Sequence, residues 1–151
     1  MTPEQHTEKA RKYCAYRERC SREVSDRLRQ LGAEEALRQQ IINRLKEEGF
    51  LDDQRFAKLY ARGKFLNNQW GKVKIKAELL SRGIDDTHIM QALSEIDQQQ
   101  YSEMLRAILN KKYHSIREKN RTNPEERTAA YAIQKGYEPG LVWQSLKEAI
   151  K

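Results

Sequence analysis

The chain has 151 residues, 38% hydrophobic and 34% charged, which is more polar than an average compact domain and leaves little apolar material for one bulky core. No run approaches the roughly 18 consecutive apolar residues of a membrane span, and the opening MTPEQHTEKA lacks a cationic start followed by an apolar stretch, so a cytoplasmic protein with no membrane association is expected. Lys and Arg total 29 against 22 acids, a formal charge of +7, which favours anionic partners and says nothing about fold.

Apolar residues recur at helical spacing and β-branched runs are absent, which predicts an all-α chain. The first expected helix, 4–19, follows Thr2-Pro3-Glu4, a capping side chain before a proline at the first helical position. Two more follow at 21–31 and 34–48, the latter carrying Leu37, Ile41 and Leu45. Helices are expected next at 52–67, 71–82 and 86–97. The runs Phe56, Leu59, Tyr60, Gly63 and Ile89, Ala92, Leu93, Ile96 mark the first and third of these. Asp52-Asp53 and Asp85-Asp86 sit where acidic residues suit the positive end of a helix dipole. The last three are placed at 99–112, 124–135 and 139–150. Asn123 caps the second of them before Pro124, and Tyr113–Asn123 is the longest linker. Cys14 and Cys20 are read as reduced packing thiols. His6, His88 and His114 are scattered at no metal-ligand spacing, so no metal or cofactor is expected.

Gly32, Gly83 and Gly136 lie 51 and 53 residues apart, each after a basic amphipathic helix, and apolar residues follow the last two at the same offsets of one, six and ten. Such glycines end a helix in the left-handed conformation. The spacing predicts three repeats of three helices, residues 1–51, 52–97 and 98–151, stacked as an elongated curved array.

Charge is segregated. Gln54–Arg82 carries eight cations against one acid, Glu78, and Met104–Arg121 carries six against one. Phe65, Tyr60 and Trp70 lie within the most basic stretch. Aromatic rings among cations are one mark of single-strand binding, but Phe56 and Tyr60 fit a core face, and Trp70, expected to be exposed or half-buried before Gly71, fits base stacking and packing equally. A solvated face accounts for any single lysine and poorly for a local excess of seven. The Asp pairs suggest a metal-dependent nuclease, yet capping explains them, and no phosphate loop, nucleophile elbow or catalytic histidine accompanies them. A non-enzyme is expected.

The run Gly49-Phe-Leu-Asp-Asp-Gln-Arg-Phe-Ala57 resembles the hallmark of the RecX family, regulators of the bacterial recombinase RecA. Trp70–Ile84, a basic helix between Gly71 and Gly83-Ile84, resembles its second hallmark. Arg17-Glu18-Arg19 with Glu23-Val24 and Arg27-Leu28 is similar to its first module, with Cys20 and Val24 where the family usually has Ser and Leu. Ala132–Tyr137 is similar to its third. The resemblance implies a monomeric regulator that lodges in the groove of the RecA–DNA filament, inhibits ATP hydrolysis and strand exchange, and so modulates recombination and DNA repair. The contacts expected are Arg62, Lys64, Trp70, Lys72, Lys74 and Lys76. A second patch comprises Lys111, Lys112, Arg117, Lys119 and Arg121, and Arg17 and Arg19 extend the stripe. Leu51, Phe56, Leu79, Leu80 and Ile84 are assigned to packing. The alternative is a sequence-nonspecific binder of single- or double-stranded DNA.

Overall fold

The computed structural model describes residues 1–149; positions 150 and 151, the ends of the expected last helix and third repeat, lie outside the described residues. Among these the chain forms nine helices and no strand: α1 (Pro3–Tyr16), α2 (Ser21–Gln30), α3 (Glu35–Glu47), α4 (Asp53–Asn68), α5 (Lys72–Ser81), α6 (Asp86–Ser94), α7 (Gln98–Glu118), α8 (Pro124–Gln134) and α9 (Pro139–Ala149). They divide into two compact units. Unit 1 comprises residues 1–59 and 79–91; unit 2 comprises 60–78 and 92–151.

The starts of the helices follow from their caps. Thr2 Oγ1 accepts from the Gln5 backbone N at 3.1 Å while Gln5 Oε1 accepts from Thr2 N at 2.8 Å, a closed capping box ahead of Pro3. Asp52, Asp85 and Asp97 each accept from the backbone N three residues on, at 3.0, 2.8 and 2.9 Å. Asn123 departs from expectation. It lies in the left-handed region (φ 53°) and its side chain makes no cap.

The ends repeat. Ala33, Ile84 and Tyr137 each donate their N–H to the carbonyl five residues back, Leu28, Leu79 and Ala132, while the intervening Gly32, Gly83 and Gly136 hold φ of +89°, +77° and +105°. This is the glycine-terminated helix end in which the residue after the glycine packs back on the last turn. Accordingly Ala33, Ile84 and Tyr137 are all buried.

In unit 1, α1, α2 and α3 pack around Ala10, Cys14, Val24, Leu28, Ile41, Ile42 and Leu45, with Leu51 closing the cluster. In unit 2, α7, α8 and α9 bury Leu105, Leu109, Ala129, Ala132, Val142 and Leu146. Leu51, Phe56, Leu79 and Ile84 are buried, but Leu80 is 45% exposed, because the residue next to a core position on a helix turns about 100° away from it. Helix α1 ends three residues short of the expected boundary, where Arg17 turns extended (φ −162°). Helix α7 absorbs Tyr113–Glu118 of the expected linker, because Ile116 repeats the buried spacing of Leu105 and Leu109 and is itself 7% exposed.

Cys20 stands at the N-cap of α2, where it offers a thiol instead of an oxygen. Glu23 Oε1 accepts from the Cys20 backbone N at 3.2 Å, and a further acceptor arrives from α4: Asp53 takes the Ser21 backbone N at 2.7 Å and the Ser21 hydroxyl at 2.8 Å. Asp53→Ala removes a charged acceptor from both donors and is expected to cost about 2 kcal/mol, against about 1 kcal/mol for the single cap removed in Asp52→Ala, read from urea denaturation midpoints. Burial pushes the Cys14 and Cys20 thiols up to about 11. Folded thiols therefore keep protons that unfolded ones release near pH 8.5. Stability should be unaffected below that value and fall as pH rises from about 8.5 toward 11, a slope that Cys14→Ala/Cys20→Ser should flatten.

Candidate polyanion interface

The two units treat their charges differently. By sequence, unit 1 holds fourteen cations and thirteen acids, whereas unit 2 holds fifteen cations and nine acids, so six of the seven net positive charges belong to unit 2. In unit 1 the arginines meet carboxylates: Arg11 with Glu48 at 3.0 Å, Arg55 with Glu18 at 2.8 Å, Arg44 with Glu4 at 3.5 Å and Arg29 with Asp26 at 3.1 Å. The Arg11–Glu48 hydrogen bond raises the guanidinium and lowers the carboxyl from their ordinary values. Among the described residues, Arg62, Lys64, Lys72, Lys74, Lys76, Lys111, Lys112, Arg117, Lys119 and Arg121 make no ion pair with a carboxylate.

Several of them lie over aromatic rings instead. Lys64 Nζ and Lys74 Nζ stand 4.9 and 4.5 Å from the Trp70 ring, and Lys72 Nζ is 4.7 Å from the Tyr101 ring. Trp70, half-buried, thus serves two ammonium groups, and a nucleobase stacking on it competes with them. The three α5 lysines do not share one direction. Lys72 and Lys76, one turn apart, share a face, while Lys74 lies about 160° around the helix. This accounts for Lys72 meeting Tyr101 and Lys74 meeting Trp70. Arg62 and Lys76 are exposed.

The start of α5 is built by close backbone approach. Gly71 N donates to Lys135 O, Lys72 N to Tyr101 Oη and Val73 N to Gly136 O, each at 2.9 Å. A Cβ on Gly71 would meet the Gly136 carbonyl carbon and oxygen at 2.3 Å, and one on Gly136 would meet Lys74 Cβ at 2.4 Å. Tyr137 Oη donates to Gln69 O at 3.1 Å, and Tyr101 Oη donates to Glu138. Tyr101 and Tyr137, centroids 5.1 Å apart, are both buried, and burial holds both phenols above their ordinary values.

The second patch gathers around a cleft of about 440 Å³ between α7 and α8, where Lys112, Lys119 and Arg121 converge with Arg127 and Tyr131. Lys112 Nζ lies 4.4 Å and Lys135 Nζ 5.6 Å from the Tyr131 ring. Lys111 and Arg117 are exposed outside its lining, Arg117 lying 5.8 Å over Tyr113. Arg127, Tyr131 and Lys135 are not legible in the sequence as part of this patch, because Glu125 and Glu126 mask a basic face that begins one residue later. Arg17 is exposed but paired with Glu23 at 3.5 Å. Arg19 is 7% exposed, its guanidinium 3.7 Å over the Tyr13 ring and its Nε donating to Tyr13 O. It secures the end of α1 and presents no charge to a partner.

Asp52, Asp53 and Asp85 accept backbone N–H groups at helix starts, and no group of three metal-ligating side chains occurs among the described residues. None of the described helices is long and apolar enough to cross a membrane.

Family models for the first and second three-helix domains of RecX match residues 7–52 and 52–93. The chain is 26% identical to "Regulatory protein RecX" of Amycolatopsis mediterranei (strain U-32), covering 100% of this chain and 89% of that one. It is 31% identical to the protein of the same name from Clostridium acetobutylicum, covering 84% and 60%. It spans about half, 48%, of the Oceanobacillus iheyensis relative, at 28% identity. The crystal structure of RecX from Lactobacillus salivarius superposes with a TM-score of 0.89 over 98% of this chain and 96% of that one, at 24% identity, which makes the fold an all-α helical repeat.

Replacing Trp70 tests the aromatic support. Trp70→Ala removes two cation–π contacts worth about 0.5–1 kcal/mol each at exposed sites. A stability loss of about 1–2 kcal/mol is expected in urea denaturation, with Trp70→Phe recovering part of it.

Proposed function

The chain belongs to the RecX family of regulatory proteins, and from that premise we propose that it binds RecA–DNA filaments through the basic surface of unit 2 and inhibits ATP hydrolysis and strand exchange without catalysing a reaction of its own. The observation that carries this reading is the division of charge: six of seven net positive charges in one unit, on lysines and arginines without carboxylate partners. Lys64, Lys72, Lys74 and Lys76 with Arg62 form the main contact, and Lys111, Lys112, Arg117, Lys119 and Arg121 the second. Trp70 holds the first group in place. Arg17, exposed in unit 1, is a further contact. The repeats run 1–51, 52–97 and 98–151, and the same glycine-terminated helix end after Leu28, Leu79 and Ala132 supports that division. The protein acts as a cytoplasmic monomer in recombination and DNA repair.

Contacts made by lysine ammonium groups are salt-sensitive and indifferent to base sequence. Titrated into RecA filaments at two salt concentrations, the protein should slow ATP turnover at substoichiometric amounts, less so at high salt. Lys72→Glu/Lys74→Glu/Lys76→Glu should weaken that effect by tenfold or more. Equal binding to bare oligonucleotide and to filament would instead favour a DNA-only binder, and unchanged inhibition by the triple variant would place the contact elsewhere.

A further inference from the structure

We propose that the α8–α9 turn, residues 135–138, together with Tyr101, is a positioning clasp that sets how the cations of α5 face a polyanion. The inference rests on the reading of that cluster as the contact surface and adds groups that act through backbone carbonyls and tyrosine hydroxyls instead of through a charge of their own. A helix leaves its first N–H groups without intrahelical acceptors. At α5 three consecutive ones, from Gly71, Lys72 and Val73, are taken by Lys135 O, Tyr101 Oη and Gly136 O at 2.9 Å each.

Two consequences follow. With those N–H groups filled, the start of α5 is closed as a phosphate site of the helix-terminus kind, and attraction falls to the ammonium groups. In addition, three bonds at successive residues, about 100° apart around the axis, fix the rotation of α5. A turn of one residue would take Lys72 off Tyr101 and Lys74 off Trp70. The approach requires glycine on both sides, since a Cβ at either position meets backbone or Cβ atoms at 2.3–2.4 Å. Tyr101 ties the clasp together. Its hydroxyl accepts from Lys72 N and donates to Glu138, and its ring carries Lys72 Nζ. Tyr137 holds the preceding link through Gln69 O, at a residue in the left-handed region (φ 59°) directly before Trp70.

Tyr101→Phe and Tyr137→Phe, singly and together, remove only hydroxyls and keep the rings. They are made in the full chain with Trp143→Phe, leaving Trp70 as the one tryptophan. Three readouts are taken: amide exchange of Lys72, emission of Trp70, and the salt dependence of binding to fluorescein-labelled poly(dT). The expected result is loss of Lys72 amide protection, a shift in Trp70 emission, and several-fold weaker binding. The log–log salt slope should be shallower by about 0.7 for each phosphate no longer neutralised by a lysine. Glu138→Gln, which keeps an acceptor for the Tyr101 hydroxyl, should retain the wild-type slope.

A structural role alone moves the denaturation midpoint and not the slope, so Val142→Ala, which destabilises the same unit at a fully buried position of α9, should bind like the wild type. Unchanged slope and affinity with Lys72 exposed, or a Lys72 amide still protected in both Tyr101→Phe proteins, would overturn the clasp. If the wild type binds neither poly(dT) nor filament, the contact surface itself fails and the clasp falls with it. That outcome is distinct from the clasp failing alone.

Discussion

Two backbones meet without side chains between them at Gly71 and Gly136, and the organisation of unit 2 depends on that approach. Neither glycine is exposed. One of the two, Gly136, also ends α8 in a left-handed turn, so the same residue stops one helix and receives another. Any larger residue fails twice there, through its Cβ clash and through its φ. The turn's position is in turn fixed by Tyr101 and Tyr137, in tilted ring contact and buried, with their hydroxyls bonded. A short helix of ten residues, three of them lysines, is thereby held by acceptors from two other parts of the unit.

How a cation is held decides how much of its field survives. An exposed ion pair is worth little to stability, but it cancels most of the charge seen from a distance. A lysine on an aromatic face gains a comparable 0.5–1 kcal/mol or so and keeps its full charge for an outside partner. Unit 1 follows the first pattern, with Arg11–Glu48 and Arg55–Glu18 crossing between helices. Unit 2 follows the second at Trp70, Tyr101 and Tyr131. The contrast leaves the larger net positive charge on unit 2, as the proposed contact surface would require.

Much of the fold could be read from local chemistry. Thr2-Pro3, the Asp-Asp steps and the glycine spacing each report a helix end through groups within a few residues, and those ends stand where expected. The exceptions share a cause. The cap on Ser21 comes from Asp53, thirty-two residues away, and nothing near Cys20 announces it. Arg19 reads as a surface cation beside Arg17, yet tertiary contacts fold it over Tyr13. Asn123 has the right chemistry for a cap and the wrong backbone, because the chain must turn tightly between α7 and α8. Net charge was legible as a local excess, but its partnering was not, since Glu48 and Glu4 neutralise arginines distant in sequence. Leu80 shows the same limit on a smaller scale, for two adjacent leucines share a motif but cannot share a core face.

The aromatic residues of the basic region bring these points together. Tyr60, Phe65 and Trp70 among lysines suggest stacking platforms, and composition alone cannot separate a platform from a brace. Phe65 is buried against Tyr101 at 5.8 Å, Tyr60 and Trp70 carry Lys64, and Trp70 also carries Lys74. Each ring already has an occupant from its own chain. Base stacking would have to displace ammonium groups, giving up an attraction to the same polyanion that brings the base near. Bracing carries no such conflict, because a phosphate approaching Lys64 and Lys74 finds both held before it arrives, with less side-chain entropy to lose on binding. On the proposed function, the rings would raise affinity by preorganising charge and would add no preference among bases.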